Sequence, residues 1–374
     1  MRVALLTRRF DSAGGGTERD LIVTAQGLRA AGHQITFFAD EIRGATSDWD
    51  VQRVGAGPRL GRTLSLMRFA WTAAPAARRA GADLVLSFAR CVGADVMRSG
   101  GGAHASYVRA ARKWRGARGA FAMRISPYHQ AQMLIERQAF RSPSLKGAIA
   151  VSNFVRDDLI REFGFAPEKT VTIYNGVDLE RFRPAGAPSE RAAIRQRFAV
   201  PASARVVVFV GNGFARKGLG FLIEALPLVA GGAFLLVVGA DRQTDKFARR
   251  ARALNVGARV VFTGPQPGVE AIFHAADAFA MPSLFEPFGN VVMEAMASGL
   301  PAMTSAFSGV AELIPPSLRG FRVENPDDVG EVALRLGALL DAPASVGGEA
   351  RETAEKFTWT RYANELNALI EAIG

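Results

Sequence analysis

The sequence is poor in cysteine and histidine, and this narrows the chemistry that it can carry. Its 374 residues include one cysteine, Cys91, and four histidines that lie far apart, with no His-x3-His pair. A single cysteine excludes an internal disulfide and any cysteine-based metal site. Asp48-Trp49-Asp50 stands in a polar connector rather than at the end of a strand, which argues against a metal motif there. We therefore expect no metal site.

Long apolar runs are also absent. No charge-free apolar segment approaches the roughly 18 residues that a transmembrane helix needs. The apolar run in MRVALLTRRF is too short for a signal peptide. We therefore expect a soluble protein of the cytoplasm. The sequence also has no G-x-S-x-G elbow, no P-loop and no paired-carboxylate hydrolase pattern, which excludes the enzyme classes that depend on them.

Acidic residues are outnumbered, but only in the first half of the chain. Residues 1–184 contain 28 Lys and Arg against 16 Asp and Glu, whereas the remainder contains 18 against 19. Within residues 98–146, ten basic residues accompany one acid, Glu136. This imbalance implies an anionic partner: nucleic acid, anionic lipid or a phosphorylated acceptor. Nucleic acid is the weakest of these, because no helix-turn-helix, zinc-finger or RNP signature is present.

The length and the element pattern predict two α/β domains. The chain exceeds the usual single-domain size, and 49% of its residues are hydrophobic, which supplies ample core. Strand and helix patterns alternate in both halves, from the strand at Arg2–Thr7 onward and again from the strand RVVVFVG. Such alternation favours parallel sheets with a ligand crevice at the strand C-termini. The proline-containing stretch 183–204 marks the domain boundary.

The stretch PSLFEPFGNVVMEAMASGLPAMTS, residues 282–305, is the most informative part of the chain. It is typical of a strand end, a loop, a helix and a new strand. Gly289 and Asn290 would open the helix, and Gly299 fits the left-handed residue that ends it. A helix start offers unpaired backbone N–H groups and a partial positive charge, which suit a phosphate.

Two carboxylates flank this helix start. Glu294, about five residues into the helix, could accept both hydroxyls of a ribose, while Glu286 on the loop would face the other end of the ligand. The alternative is that both are ordinary solvated surface carboxylates.

A second anion-binding pattern opens the second half. Gly211 and Gly213 follow a strand, and Arg216-Lys217-Gly218 precedes a helix. Two adjacent cations at a helix entrance match a diphosphate that departs with negative charge. A plain basic turn is the alternative.

Two glycine-rich loops in the first half are further candidates. The loop with Gly14, Gly15 and Gly16 is either a flexible connection or a phosphate cradle. Residues 100–102 are also three glycines, which allow backbone to approach a ligand closely, and His104 follows them. A lone histidine is more often structural than catalytic, so His104 needs the neighbouring glycines as support.

The basic segment YVRAARKWRGARGAFAMR interleaves arginines with Tyr107, Trp114 and Phe121. Such a segment can lie at a membrane interface, with aromatic side chains inserted and arginines on lipid phosphates. The alternative is a solvated basic helix face. The residues that we assign to acceptor or membrane binding are Asp20, Arg109, Arg112, Lys113, Trp114 and Arg115.

Glu286-x7-Glu294 within EPFGNVVMEAMASGLP, together with the Arg-Lys-Gly element, resembles the donor site of retaining GT-B glycosyltransferases of family 4. The likeness covers most of the chain. It is nearest to lipopolysaccharide-core glucosyltransferases, whose DVYRAGDGVH-like segment is similar to DVMRSGGGAH here. Gly101 stands where that pattern has Asp, so a carboxylate that relatives contribute is missing from this chain.

The resemblance implies two Rossmann-like domains that face each other across a cleft. Residues 1–183 would bind the acceptor, joined by a C-terminal tail from about residue 355 to 374 that crosses back. Residues 184–354 would bind a nucleotide sugar. The diphosphate would contact Arg216 and Lys217, and His104 would take part in catalysis beside Glu286. The donor-binding residues would be Gly15, Gly16, Gly213, Phe288, Gly289, Asn290, Val291 and Glu294.

The expected reaction is hexose transfer with retention of anomeric configuration, without a metal or other cofactor. We expect glucose from UDP-glucose to be moved onto a phosphorylated, heptose-containing lipopolysaccharide-core lipid, with the enzyme held peripherally at the cytoplasmic face of the inner membrane. GDP-mannose as donor, and a polyprenyl diphosphate or a phosphoinositide as acceptor, are alternatives. A catalytically inactive scaffold or a non-catalytic anion-binding protein is a more distant one.

Overall fold

The computed structural model describes residues 1–11, 16–44, 46–55 and 61–374. These residues form two compact units. Unit 1 comprises Met1–Asn175 and Trp359–Gly374, and unit 2 comprises Gly176–Thr358. The chain passes between the units after Asn175 and after Thr358. Both points lie close to the boundaries expected from the sequence, residue 183 and about residue 355.

Each unit is built on one sheet, and every strand pairing in it is parallel. The strands are β1 (Arg2–Asp11), β2 (Gln34–Arg43), β3 (Asp50–Arg53), β4 (Leu84–Ser87), β5 (Val96–Ser99), β6 (Gly147–Ala150), β7 (Thr170–Thr172), β8 (Val206–Val210), β9 (Phe234–Val238), β10 (Val260–Gly264), β11 (Ala278–Met281) and β12 (Ala302–Thr304). The sheet of unit 1 has the order β3-β2-β1-β4-β5-β6-β7, and that of unit 2 has the order β10-β9-β8-β11-β12. The predicted α/β architecture with two parallel sheets is confirmed.

Helices connect most of the consecutive strands in both units, as is usual for parallel strands. They are α1 (Gly16–Ala30), α2 (Arg62–Arg79), α3 (His104–Ala110), α4 (Arg112–Ile125), α5 (Pro127–Phe140), α6 (Asn153–Phe163), α7 (Pro188–Arg197), α8 (Leu219–Ala225), α9 (Thr244–Ala253), α10 (Val269–Phe273), α11 (Asn290–Ala297), α12 (Val329–Leu340), α13 (Ser345–Glu355) and α14 (Trp359–Ile373). In the part of the chain that the structure covers, no helix is long and apolar enough to cross a membrane.

The core of unit 1 lies on both faces of its sheet, because successive side chains of a strand point to opposite sides. On β1, Val3 and Leu5 join the cluster that contains residues of α1 and α14. Ala4 and Leu6 join the cluster under α2 on the other face. Burial on both faces explains why the strand is a continuous apolar run rather than an alternating one.

The C-terminal helix α14 returns to unit 1, as predicted. Tyr362, Leu366 and Ile370 recur every four residues, so they form one buried stripe, and it packs in the same cluster as α1. A Cβ at Gly27 of α1 would come within 2.5 Å of the Ala363 Cβ, so glycine permits the close contact of the two helices.

In unit 2, β8 and β11 are neighbouring strands, and each leads at its carboxyl end into a loop and a helix. The helix predicted after Gly289 is confirmed as α11. Gly289 precedes it with φ 107°, and Gly299 follows it with φ 77°, a left-handed conformation that favours glycine.

Candidate active site

The loops after β8 and β11 bring together three charged side chains that are far apart in the sequence. Arg216 and Lys217 lie just before α8, and Glu286 lies just before α11. Because β8 and β11 are adjacent and parallel, their carboxyl ends meet at one edge of the sheet. The structure therefore groups the two cations and the carboxylate that the sequence singled out.

One carboxylate oxygen serves both cations. Lys217 Nζ lies 2.7 Å and Arg216 Nη1 lies 3.0 Å from Glu286 Oε2. Arg216 Nη1 also donates to the carbonyl oxygen of Phe285 at 2.5 Å. Burial by itself would raise the pKa of the Glu286 carboxyl, but the charges and hydrogen bonds of Lys217 and Arg216 outweigh it and lower that pKa to about 2. Among these three side chains, one negative charge offsets two positive charges, so the group carries one positive charge in excess.

Glycines allow these side chains their positions. A Cβ at Gly211 would lie 2.6 Å from Lys217 Cδ, so a larger residue would displace the lysine. A Cβ at Gly218 would lie 2.1 Å from the Pro282 carbonyl oxygen, and Gly218 has φ 83°. The predicted Gly213 lies beside Arg216, with its ideal Cβ position 3.9 Å from Arg216 Nε.

A neighbouring segment, residues 305–310, fixes the backbone of the Glu286 loop. The Glu286 N–H donates to the Phe307 carbonyl at 2.8 Å, and the Glu286 carbonyl accepts from the Gly309 N–H at 2.9 Å. The Phe288 carbonyl accepts from the Val310 N–H at 2.8 Å and from Ser308 Oγ at 3.0 Å. Sequence reasoning missed this segment, because backbone pairing between loops leaves no motif.

The remaining predicted donor residues of unit 2 lie on the same loop and the first turns of α11. Phe288 and Gly289 are buried, whereas Asn290, Val291 and Glu294 are partly buried. These residues therefore follow Glu286 closely on one continuous segment of the chain. In unit 1, Gly15 lies outside the described residues, and Gly16 is the first residue of α1.

His104, which was also predicted to be catalytic, lies in unit 1, where its Nε2 is 2.8 Å from His129 Nδ1 and the two rings stack with their centroids 5.1 Å apart. Burial, with the nearby Arg90 and His129, lowers the pKa of His104 to about 3, so the ring is neutral at physiological pH. Its backbone N–H donates to Glu136.

Unit 1 contains a cavity of about 360 Å³ at the carboxyl ends of β1, β4 and β5, called here the unit 1 cavity. His104 does not line it. Its charged lining residues are Arg8, Arg9, Glu18, Arg90, Arg98 and Glu136. Sequence reasoning overlooked these arginines, although their places at or just after strand ends, where parallel sheets bind ligands, could have indicated them.

Asp20, which we assigned to acceptor binding, is buried rather than on a cavity wall. Its carboxylate accepts from Arg98 Nη2 at 3.1 Å and from Asn175 Nδ2 at 3.3 Å. Arg109 is paired with Glu162 of α6. Both residues therefore have structural partners within unit 1.

The predicted membrane residues divide into two groups. Arg112, Lys113 and Arg115 are exposed on α4, whereas Trp114 is partly buried against Tyr107, with ring centroids 5.5 Å apart. The apolar side chains that α4 exposes lie farther along the helix: Phe121 is 62% and Ile125 is 61% exposed.

No three His, Cys, Asp or Glu side chains gather into a candidate metal site in the described ranges. The expectation of a metal-independent reaction stays a prediction.

Comparison with known proteins gives matches along nearly the whole chain. Residues 14–181 match the model of Glycosyltransferase Family 4, and residues 190–358 match the model of Glycosyl transferases group 1. A D-inositol 3-phosphate glycosyltransferase of Corynebacterium aurimucosum is 31% identical over 261 residues, which are 64% of this chain and 60% of that protein. The chain spans between 46% and 60% of the length of eight similar curated relatives.

Solved structures share the fold over the full length. WaaG, a glycosyltransferase involved in lipopolysaccharide biosynthesis, has a TM-score of 0.82 at 23% identity, covering 98% of this chain and 99% of its own. Anabaena HepE in complex with UDP-glucose has a TM-score of 0.75 at 20% identity, with both chains fully covered. The two family models together span most of the sequence, and the chain belongs to the family 4, group 1 glycosyltransferases.

Proposed function

We propose that this protein is a retaining, metal-independent hexosyltransferase that uses a nucleotide-diphosphate sugar. The observation that carries the proposal is the group formed by Arg216, Lys217 and Glu286 beside the start of α11. Two cations on one ionised carboxylate leave an excess positive charge where a helix also presents its N-terminal N–H groups. A diphosphate fits that charge.

The proposed mechanism is chiefly electrostatic. As the bond from the anomeric carbon to the phosphate oxygen lengthens, the sugar gains oxocarbenium character and negative charge builds on the diphosphate. Arg216 and Lys217 stabilise the departing diphosphate, and they do the work that a metal does in other transferases. Glu286, held between them, faces the sugar end, and Glu294 accepts the ribose hydroxyls from the next turns of α11.

Glucose from UDP-glucose is the proposed donor. The support is the shared fold with Anabaena HepE, whose structure contains UDP-glucose, and with WaaG, a transferase of lipopolysaccharide biosynthesis. GDP-mannose is the competing donor. Its guanine base would then occupy the place in the unit 2 site that the uracil of UDP-glucose would take.

The proposed acceptor is a phosphorylated, heptose-containing lipid of the lipopolysaccharide core, bound mainly by unit 1. The arginines in the wall of the unit 1 cavity offer guanidinium N–H donors, which suit a ligand with hydroxyl and phosphate groups. A phosphoinositide is the second candidate, because a relative that is 31% identical is a D-inositol 3-phosphate glycosyltransferase.

A lipid acceptor places the proposed reaction at the cytoplasmic face of the inner membrane, with the protein bound peripherally. The supporting surface is α4, where Phe121 and Ile125 are exposed among basic residues and no acidic residue occurs. Apolar side chains flanked by arginines suit an anionic bilayer. The inserted residues are then Phe121 and Ile125 rather than Trp114, which is partly buried against Tyr107.

The deciding experiment is a thermal-shift titration with UDP, GDP and ADP in the absence of metal. Stabilisation by UDP that is lost in Glu294→Ala, and kept in the control Glu352→Ala on the exposed face of α13, supports both the donor class and the ribose role. Stabilisation by GDP would instead move the proposal to mannose transfer. No response to any nucleotide would contradict the proposed donor site.

A further inference from the structure

One wall of the unit 1 cavity has no side chains, because Gly100, Gly101 and Gly102 form it. A Cβ at Gly100 would lie 3.1 Å from Arg98 Nη1, and a Cβ at Gly101 would lie 3.8 Å from Arg90 Nη2. The backbone of this loop therefore lies directly against two guanidinium groups. A ligand group in the cavity can approach backbone and arginine at the same point.

Arg90 is the more accessible of the two arginines. Its side chain is 30% exposed, whereas that of Arg98 is 3% exposed and donates to Asp20 and Asn175. Arg98 is therefore mainly a structural cation, and Arg90 is the one that a ligand can reach.

Arg90 is also held in place from behind. Its Nε donates to the buried carboxylate of Glu136, whose other oxygen accepts the His104 backbone N–H at 2.8 Å. A guanidinium has five N–H donors and a single carboxylate oxygen engages few of them. The pairing with Glu136 thus fixes the orientation of Arg90 while its Nη2 edge remains directed towards Gly101 and the cavity.

We propose that Arg90 and the backbone of residues 100–102 bind a phosphate monoester on the acceptor. This inference rests on the proposed transferase function and adds which acceptor group is recognised and where. A guanidinium edge matches the spacing of two phosphate oxygens, and a side-chain-free backbone lets the tetrahedral group come close. The selectivity is for acceptors that carry the phosphate over those that lack it.

Gly101 offers a test that leaves the fold intact. It is exposed, its φ is not positive, and its Cβ position meets only Arg90 Nη2 within 4 Å. Gly101→Asp places a carboxylate beside Arg90 at the position of the phosphate. Gly101→Asn places a neutral side chain of nearly the same size there, so the pair separates charge from bulk.

The measurement is the affinity of the full chain for mannose 6-phosphate and for mannose by calorimetry, with UDP present so that the nucleotide site is occupied. The wild type is expected to bind the phosphorylated sugar about tenfold or more tightly than the sugar, as for a hydrogen-bonded charge. Gly101→Asn is expected to keep part of that preference, because its neutral amide takes up space beside Arg90 without repelling the phosphate. Gly101→Asp is expected to lose that preference. Inorganic phosphate is the third probe, and weaker binding than for the sugar phosphate is expected.

Three results would overturn the inference: equal affinity of the wild type for both sugars, no binding of either, or the same preference in both variants. Inorganic phosphate that binds as tightly as the sugar phosphate would assign the site to a free anion instead. The outcome is independent of the donor site, which UDP-induced stabilisation reports separately. A failed UDP titration with an intact phosphate preference rejects the transferase proposal alone.

Discussion

The two units hold their arginines in different ways. In unit 2, Arg216 and Lys217 share one oxygen of Glu286. In unit 1, two arginines of the cavity wall have one carboxylate each, Glu18 for Arg9 and Glu136 for Arg90. Sharing leaves an excess positive charge within one group of side chains, whereas one-to-one pairing leaves oriented donors and little net charge at each pair.

This difference matches two kinds of ligand. A group that gains negative charge during a reaction is stabilised most by an excess of fixed positive charge. A ligand that keeps its charge and must be distinguished from similar molecules is better recognised by oriented hydrogen-bond donors. The comparison therefore predicts that unit 2 substitutions affect the rate and unit 1 substitutions affect selectivity.

The largest expected effect is that of Arg216→Ala. Removal of one preorganised charge should lower kcat for UDP release from UDP-glucose by about 10²–10³-fold. The matched control is Arg249→Ala, which removes an exposed arginine of α9 in the same unit. If Arg216→Ala instead kept kcat within about threefold of the wild type, the effect would be that of an ordinary surface contact, and the contrast between the units would be lost.

The glycines of the site should behave unlike glycines elsewhere. Gly218→Ala places a Cβ 2.1 Å from the Pro282 oxygen in a left-handed conformation, so urea unfolding should show a loss of about 2–3 kcal/mol. In α12, a Cβ at Gly337 meets nothing within 4 Å, so Gly337→Ala should raise stability by about 0.5–1 kcal/mol. Equal effects in the two variants would mean that the Gly218 backbone adjusts without cost.

The stacked histidines should make stability depend on pH. The ordinary pKa of His104 is 6.5 and its pKa in the folded state is about 3, so between these values the unfolded chain binds more protons. The contribution of His104 to the free energy of unfolding is complete above pH 6.5. It falls as the pH drops towards 3, by up to about 1.4 kcal/mol per pH unit. His129 adds in the same direction, since burial, with Arg115 and Arg62, lowers its pKa too.

Urea unfolding between about pH 7 and pH 5 measures this slope. His104→Gln keeps a hydrogen-bonding side chain beside His129 and should flatten the curve. An unchanged slope in the variant would show that the histidine pair does not carry the pH dependence.

The smallest expected effect concerns the membrane surface of unit 1. Phe121→Ser should weaken binding to vesicles that contain phosphatidylglycerol by about tenfold, because the exposed ring no longer enters the bilayer. Leu334→Ser in α12 is the control, since Leu334 is 69% exposed in unit 2. Binding should also weaken with salt. The same loss in both variants would indicate non-specific adsorption.

The sequence was informative where function depends on a short, continuous pattern. Gly289, the helix after it and Gly299 follow from local backbone preferences, and the structure confirms them. The meeting of Arg216 and Glu286 follows from adjacent parallel strands together with the family resemblance. Long-range partners were out of reach, because nothing near Asp20 or Arg90 in the sequence indicates that Arg98 and Glu136 would pair with them.

The exposure of individual side chains on α4 could not be predicted from the sequence either. Trp114 and Phe121 occupy similar basic surroundings in the chain, yet Trp114 packs against Tyr107 while Phe121 faces solvent. The difference depends on how α4 lies against α3 and α5 and on the kink at Gly116, where φ is 67° and ψ is 177°. Because of this kink, helical periodicity extended from Trp114 does not predict on which face of α4 Phe121 lies.

The return of α14 to unit 1 has a consequence for synthesis on the ribosome. Unit 2 is a continuous segment, Gly176–Thr358, so all of its residues emerge before α14 does. Unit 1 begins first, but its core includes Tyr362, Leu366 and Ile370, so that core stays incomplete until unit 2 has been made. The unit whose synthesis begins first is therefore completed last, and one apolar face of its sheet lacks the cover of α14 until that helix leaves the ribosome.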